Sequence, residues 1–349
     1  MGLDIARGLA LVGMLFAHTV PEVDAETVFD GRSSILFATI AGVSLGLMSG
    51  GASRVGREDR GRVARVIALR GVVLIVLGLA LTAFDTPVAI ILDTYGLLFV
   101  VAIPLLFAPR WAIAAIAAVS ALLGPVAVDA LDAAVEAATG PAESVVESAW
   151  AYFPLRWLIE AYPAPVWLAY IAVGILIARS DLRRPVTQLA LVVLGALVAV
   201  GAYSIAAAVG HPVLAHDDTT AEVLASGGVA VAVIGALVGL TASAPTRMRR
   251  IAERLLYPLA AAGSMPLTVY TLQIVVIWAY ITIVDHPGGF LGWQNLPLFV
   301  GLAVPTVLAA SLWRLRFEQG PLEWVVSRVT TQRPWPEKRR RQTNPPPAL

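Results

Sequence analysis

Leu3-Asp4-Ile5-Ala6-Arg7-Gly8-Leu9-Ala10-Leu11-Val12-Gly13-Met14-Leu15-Phe16-Ala17-His18 reads as a membrane-spanning segment interrupted by three ionisable groups. From Arg7 to His18 an α-helix turns through about 1100°, within about 20° of three full turns, so both side chains share one face. A rise of about 1.5 Å per residue separates them by about 16 Å, roughly half the hydrocarbon thickness. Asp4, one turn before Arg7, is placed to pair with it. Ionisable groups at membrane depth are costly, which makes all three functional candidates.

The rest of the chain agrees with a membrane setting. Its 349 residues are 58% hydrophobic and 14% charged, with a mean hydropathy of +0.78. These values predict an all-α, polytopic membrane protein. No cysteine is present, which excludes disulfides, thiolate zinc sites and an acyl-cysteine intermediate. The first helix lacks a basic region ahead of its apolar core, so it is expected to be retained rather than removed as a signal peptide.

Apolar runs predict ten transmembrane helices at about 3–20, 33–50, 65–84, 88–107, 111–130, 163–179, 186–208, 222–243, 257–283 and 297–316. Most of the 25 Lys and Arg fall in alternate loops or in the C-terminal segment, and only Arg32 and Arg156 lie in the intervening loops. The positive-inside rule then places both termini in the cytoplasm, and the plasma membrane is the expected location. Residues 1–330 read as one domain. Residues 331–349 read as a disordered, basic, Pro-rich tail suited to anionic membrane lipids. The outer segment 131–162 is acidic first (Asp132, Glu136, Glu143, Glu147) and then aromatic (Trp150, Tyr152, Phe153, Trp157, Tyr162), a pattern that predicts an interfacial stretch.

Under this topology Arg7 is near the cytoplasm and His18 lies toward the outside. An imidazole can act as base and then as acid near neutral pH, so His18 suits proton removal from a hydroxyl or amine. The alternative is a histidine that only bridges helices. Arg62, Arg65 and Arg70, around the start of the third helix, join Arg7 as candidates to hold phosphates bidentately, although basic loops also serve topology alone. In the ninth helix Ser264, Thr268 and Thr271 form one stripe beside Tyr270 and Gln273, and Pro266 is expected to kink the helix. Asp93 and Tyr95 interrupt the fourth helix in the outer half, where Asp93 could orient His18 or form a structural ion pair. Asp30 and Arg32 read as a surface contact. His211, His216, Asp217 and Asp218 match no tight metal site and read as a solvated loop, so no metal is expected. No nucleotide-binding glycine loop, nucleophile elbow or nucleic-acid signature is present.

Leu3-Asp4-x-x-Arg7-Gly8 with His18, Phe29-Asp30-Gly31-Arg32-Ser33-Ser34, Tyr95-Gly96, Leu267-Thr268-x-Tyr270 and Gly320-Pro321-Leu322-Glu323-Trp324 resemble the YeiB-like membrane proteins. Those are similar to the catalytic domain of heparan-α-glucosaminide N-acetyltransferase and, more distantly, to the acyltransferase-3 family. Members of the latter carry Arg, ten residues, His in the first helix and Arg-x-x-Arg near the third, matched here by Arg62 and Arg65. The resemblance implies transfer of an acyl group, acetyl in the simplest case, from cytoplasmic acyl-CoA to an extracytoplasmic hydroxyl or amine acceptor such as a sugar. On that resemblance Arg7, Arg62 and Arg65 would hold the donor and His18 would activate the acceptor; the residue reading adds Arg70 to the donor site and Asp93 and Tyr270 to the catalytic candidates. The acetyltransferase carries asparagine where this chain has His18, which leaves direct attack and an acyl-histidine intermediate both open. A proton-coupled small-molecule transporter and a non-catalytic scaffold are the rival readings.

Overall fold

A computed structural model describes residues 1–20, 26–139, 155–284 and 293–331. Its helices are α1 (Gly2–Thr19), α2 (Arg32–Met48), α3 (Arg57–Thr82), α4 (Leu92–Val101), α5 (Arg110–Thr139), α6 (Ala164–Ala178), α7 (Pro185–Ala208), α8 (Thr220–Ala242), α9 (Thr246–Leu255), α10 (Tyr257–Gly263), α11 (Pro266–Ile283), α12 (Leu296–Arg316) and α13 (Pro321–Thr331). A 3-10 turn at Pro104–Phe107 follows α4, and residues 155–159 form a short helical turn. No strand occurs among the described residues. Glu143, Glu147, Trp150, Tyr152, Phe153 and the tail beyond Thr331 lie outside the described residues.

Six helices, α3, α5, α7, α8, α11 and α12, are long and apolar enough to cross a membrane. The apolar helices α2, α4 and α6 are shorter, and α1 carries Asp4, Arg7 and His18. Four expected helices differ in shape: the fifth runs on to Thr139 rather than ending near 130, so Asp132 and Glu136 lie on it rather than in an interfacial stretch, and the other three differ for local reasons. The third begins earlier, at Arg57, because its basic stretch has good helix propensity. The fourth ends at Val101 ahead of Pro104, which has no N–H to continue the ladder. The ninth breaks in two between Gly263 and Pro266. Two helices were not anticipated, α9 and α13, both short segments beside longer spans.

Apolar side chains alone do not draw helices together in lipid, so close approach rests on small residues. A Cβ on Gly42 of α2 would overlap the Ile171 carbonyl of α6, and one on Gly174 would overlap the Thr39 carbonyl. The α7–α8 pair closes in the same way at Gly195 and Gly228. The centre is built on α2 and α6, where Ile35, Ile40, Trp167, Ile171 and Ile175 are buried. The outward faces remain apolar: Leu189, Leu194, Leu197, Val200 and Ile205 of α7 are all exposed. A surface of this kind suits acyl chains rather than water.

The α1–α10 contact is the tightest of these around the site. A Cβ on Gly8 would overlap the Leu259 carbonyl, and one on Gly263 would overlap the Asp4 carbonyl. Gly8→Val is therefore expected to cost about 1–3 kcal/mol by forcing the two helices apart. Retention of the monodisperse peak after heating measures this. Gly61→Ala, where a Cβ meets nothing within 4 Å, should leave the midpoint unchanged or slightly higher.

Candidate functional site

The break in the ninth predicted helix organises the site. Pro266 begins α11, its ring disfavours helical geometry at the preceding residue, and Met265 adopts φ −132°, ψ 56°. Two helix ends are thereby left inside the protein with orphan backbone groups. Charged side chains meet both. At the end of α10, Arg7 Nη1 donates to the Gly263 carbonyl at 2.9 Å and Arg314 Nη1 to the Ala260 carbonyl at 2.6 Å. At the start of α11, Glu323 Oε1 accepts from the backbone N–H groups of Leu267 and Thr268 at 2.6 and 3.1 Å, and Oε2 accepts from Thr268 Oγ1 at 2.6 Å. Leu322 N–H closes the ring by donating to Thr268 Oγ1 at 3.0 Å. Cations thus sit at the negative end of one helix dipole and a carboxylate at the positive end of the other. Burial pushes the Glu323 carboxyl above its ordinary pKa, while the bonds from Thr268 and Leu267 pull it back.

Arg7 is held on further sides. It donates to Asp4 Oδ1 at 3.3 Å and to Ser44 Oγ at 2.9 Å, and Asp4 also faces Arg314 Nη2 at 3.7 Å. The pairing of Asp4 with Arg7 is present as expected. Beside them lies a cavity of about 330 Å³ whose polar lining includes Arg7, Ser44, Arg70, Tyr95, Tyr270 and Glu323. Apolar side chains such as Phe37, Leu74 and Phe99 form much of the remaining wall. Tyr95 donates to the Ser34 carbonyl at 3.2 Å and stacks on Phe37, with ring centroids 5.7 Å apart. The Tyr270 hydroxyl oxygen accepts from Ile91 N–H at 3.4 Å.

Among the residues singled out from the sequence, Arg7, Arg70, Tyr95, Ser264 and Tyr270 come together at this cavity. Arg62 and Arg65 do not line it. They precede Arg70 along α3 by about 12 Å and about 7.5 Å of helical rise, on an exposed stretch. Arg62 is instead turned onto Asp59 at 2.9 Å. His18 also lies off the cavity, at the last turn of α1, where its backbone carbonyl accepts from Gln294 Nε2 at 2.8 Å. The ionisable groups acting on its ring are His216 and Asp30.

Asp93 does not orient His18. It is fully buried, and its Oδ2 accepts from Trp157 Nε1 at 3.1 Å and pairs with Arg156 Nε at 3.7 Å. The helical turn at 155–159 covers the start of α4 and brings both partners. The structural ion pair, one of the two readings open for Asp93, is what forms. Arg32 likewise donates to Tyr203 Oη at 2.7 Å, while the Asp30 carboxylate accepts from Thr27. Ser44, Tyr95 and Glu323 were not assigned to the site from sequence. A serine within the apolar run of α2, and a glutamate two residues past Pro321, were the available signals.

The segment around His216 is a loop braced by carboxylates; among the described residues no three His, Cys, Asp or Glu side chains are grouped so as to hold a metal ion. Glu222 accepts from the backbone N–H groups of His216 and Asp218, each at 2.8 Å, and Asp218 accepts from Trp167 Nε1 at 3.2 Å. Burial, reinforced by Glu222 and Asp217, pushes the Asp218 carboxyl up to about 7, against the lowering effect of the Trp167 bond. Burial lowers the pKa of His216, opposed by Glu26 and Asp30.

Fold and site together define a helical membrane protein with an interrupted helix beside a basic cavity. A family model described as "Protein of unknown function (DUF418)" matches residues 176–333. The matched stretch runs from the end of α6 to beyond α13, so it includes the interrupted helix and Glu323 but not Arg7 or Arg70. No curated protein and no solved structure matches the chain.

Two outcomes test these assignments. Glu323→Ala leaves two buried N–H groups without an acceptor and should cost about 1–3 kcal/mol, a loss that Glu323→Gln partly restores; chemical unfolding in detergent measures both. For Asp218, a carboxyl near 7 in the fold and at 3.8 when unfolded makes the folded state the stronger proton binder. Its contribution to stability therefore falls as pH rises from about 4 to about 7 and is flat above. Asp218→Asn should flatten this slope and raise the thermal midpoint at pH 8.

Proposed function

We propose that the chain is a plasma-membrane acyltransferase that crosses the bilayer ten times, with both termini cytoplasmic. On this reading α1 to α8 make eight passes, the interrupted pair α10–α11 the ninth and α12 the tenth. The donor is acyl-CoA and the acceptor an extracytoplasmic hydroxyl or amine. The observation that carries this proposal is the convergence of Arg7 and Arg70, from the first and third helices, on one cavity that is otherwise largely apolar. Two guanidinium groups suit the donor's phosphates, and the apolar wall suits its pantetheine arm and acyl group. Similarity to the YeiB-like proteins in Leu267-Thr268-x-Tyr270 and Gly320-Pro321-Leu322-Glu323-Trp324 gives further support, since these two motifs meet each other across the helix break.

The chemistry assigns separate tasks along α1. The donor arm extends from the arginines over the same helix face for about 16 Å to His18. His18 takes the proton from the acceptor as its oxygen or nitrogen attacks the thioester carbonyl. The carbon–sulfur bond breaks, and the departing CoA thiolate receives that proton, leaving acylated acceptor and free CoA thiol. Tyr270, whose hydroxyl oxygen accepts from Ile91, keeps its own O–H for the donor. Arg62 and Arg65 lie outside the cavity lining.

Because the chain has no cysteine, a thiol reagent reports CoA release without a protein background. In vesicles reconstituted from the purified protein, His18→Ala should lower acceptor-dependent thiol release from acetyl-CoA by about 10²–10⁴-fold, the usual range for loss of a general base. Donor binding should persist. Arg70→Ala should weaken acetyl-CoA binding by about tenfold to a hundredfold, as expected when a charge-assisted phosphate contact is lost. Wild-type rates in His18→Ala, or no binding of acetyl-CoA by the unaltered protein, would sink the proposal.

One observation favours a second reading, a proton-coupled transporter. Paired helix ends that face a cavity inside a membrane protein are a device of secondary transporters. Solute flux driven by a proton gradient in vesicles without acyl-CoA would select it.

A further inference from the structure

Helix α9 reads Thr246-Arg247-Met248-Arg249-Arg250-Ile251-Ala252-Glu253-Arg254-Leu255 and joins α8 to α10. Placed on a helical wheel, Met248, Ile251 and Leu255 span about 60° of arc, and Arg247, Arg250 and Arg254 span another arc of about 60°. The centres of the two arcs are about 100° apart. Ala252 is the buried residue of this helix, and it lies on the side opposite the basic arc. Met248, Ile251 and Leu255 are 54%, 50% and 73% exposed. The three arginines of the basic arc are exposed as well, whereas Arg249 pairs with Glu253 at 3.9 Å. The helix therefore rests on the protein along one edge and presents an apolar strip flanked by positive charge on the others.

The position of α9 explains what such a surface meets. Only Ser243, Ala244 and Pro245 separate it from α8, a candidate span ending at Ala242, and α10 leads directly into the interrupted pass. A helix in this position lies at the membrane boundary. An apolar strip beside a basic arc is the geometry of a helix lying in the interface, with aliphatic side chains among acyl chains and arginines reaching the headgroups. Four arginines against one glutamate complement an anionic leaflet and have no such match in a zwitterionic one.

We infer that α9 is an interfacial anchor that lays Met248, Ile251 and Leu255 into the bilayer and binds anionic phospholipid headgroups through Arg247, Arg250 and Arg254. The inference needs the membrane setting but not acyl transfer. It also fixes the depth of α10, whose final carbonyls hold Arg314 and Arg7.

The cysteine-free chain permits a direct test in the full-length protein. Leu255→Cys, and Met248→Cys as a second site, carry a polarity-sensitive fluorophore in vesicles of phosphatidylcholine with or without phosphatidylglycerol. The expected result is quenching by spin-labelled lipid, protection from aqueous iodide, and a severalfold rise in lipid quenching with phosphatidylglycerol. That rise should vanish in Arg247→Gln/Arg250→Gln/Arg254→Gln and be insensitive to soluble glycerol phosphate. A probe open to iodide and untouched by lipid quencher would overturn the inference. So would a probe shielded from both, which would mark a protein partner or a second copy, and so would lipid quenching indifferent to phosphatidylglycerol.

Discussion

The arrangement of this protein depends on how it treats two helix ends placed inside it. A continuous helix satisfies its own backbone, which is why helices cross membranes at all. The Gly263–Pro266 break gives up that self-sufficiency, and the surroundings must supply partners. Arg7 and Arg314 answer the carbonyl end and Glu323 the amide end. These partners come from α1, α12 and α13, so the interruption ties the two extremes of the chain to one place. The cavity beside it inherits its charge from the same groups: Arg7 and Glu323 are structural at the break and functional candidates at the cavity wall.

Much of this was legible in the sequence, and what was not has identifiable causes. Hydropathy located every long apolar helix because lipid enforces apolarity over a fixed length. Arg7 and Asp4 stood out because charge in such a run is costly, and their pairing followed from helical spacing. Pro266 was read as a kink and proved to be a full break; the difference was made by Glu323, whose capping contact lies far away in sequence. Arg62 and Arg65 were grouped with Arg70 by proximity along the chain, but a helix carries neighbours out of a site within one or two turns. For Asp93, depth alone leaves a role beside His18 and a structural ion pair equally open. Its actual partners, Arg156 and Trp157, come from a segment whose fold over α4 leaves no periodic trace.

Carboxylates around the 209–219 loop serve differently from Glu323 at the helix break. Glu222, Asp218 and Glu26 are spent on backbone amides and an indole around the 209–219 loop, where carboxylates act as loop braces. Histidines among carboxylates in a sequence suggest metal chemistry, yet here the acceptors are already occupied by N–H groups. Counting backbone donors before counting ligands separates the two cases, although only a structure supplies that count.

The reach of Arg7 across the chain bears on how the site comes together. Asp4 lies within one helical turn of Arg7, and Ser44 comes from the next helix, so these two partners are local. The Gly263 carbonyl arrives only after eight more helices, and Arg314, which steadies Asp4, later still. The guanidinium is therefore fully satisfied only once helices carrying residues 256 apart in sequence have packed together. The Asp4–Arg7 pair offsets charge within a single turn, and α10 and α12 complete the site from far along the chain.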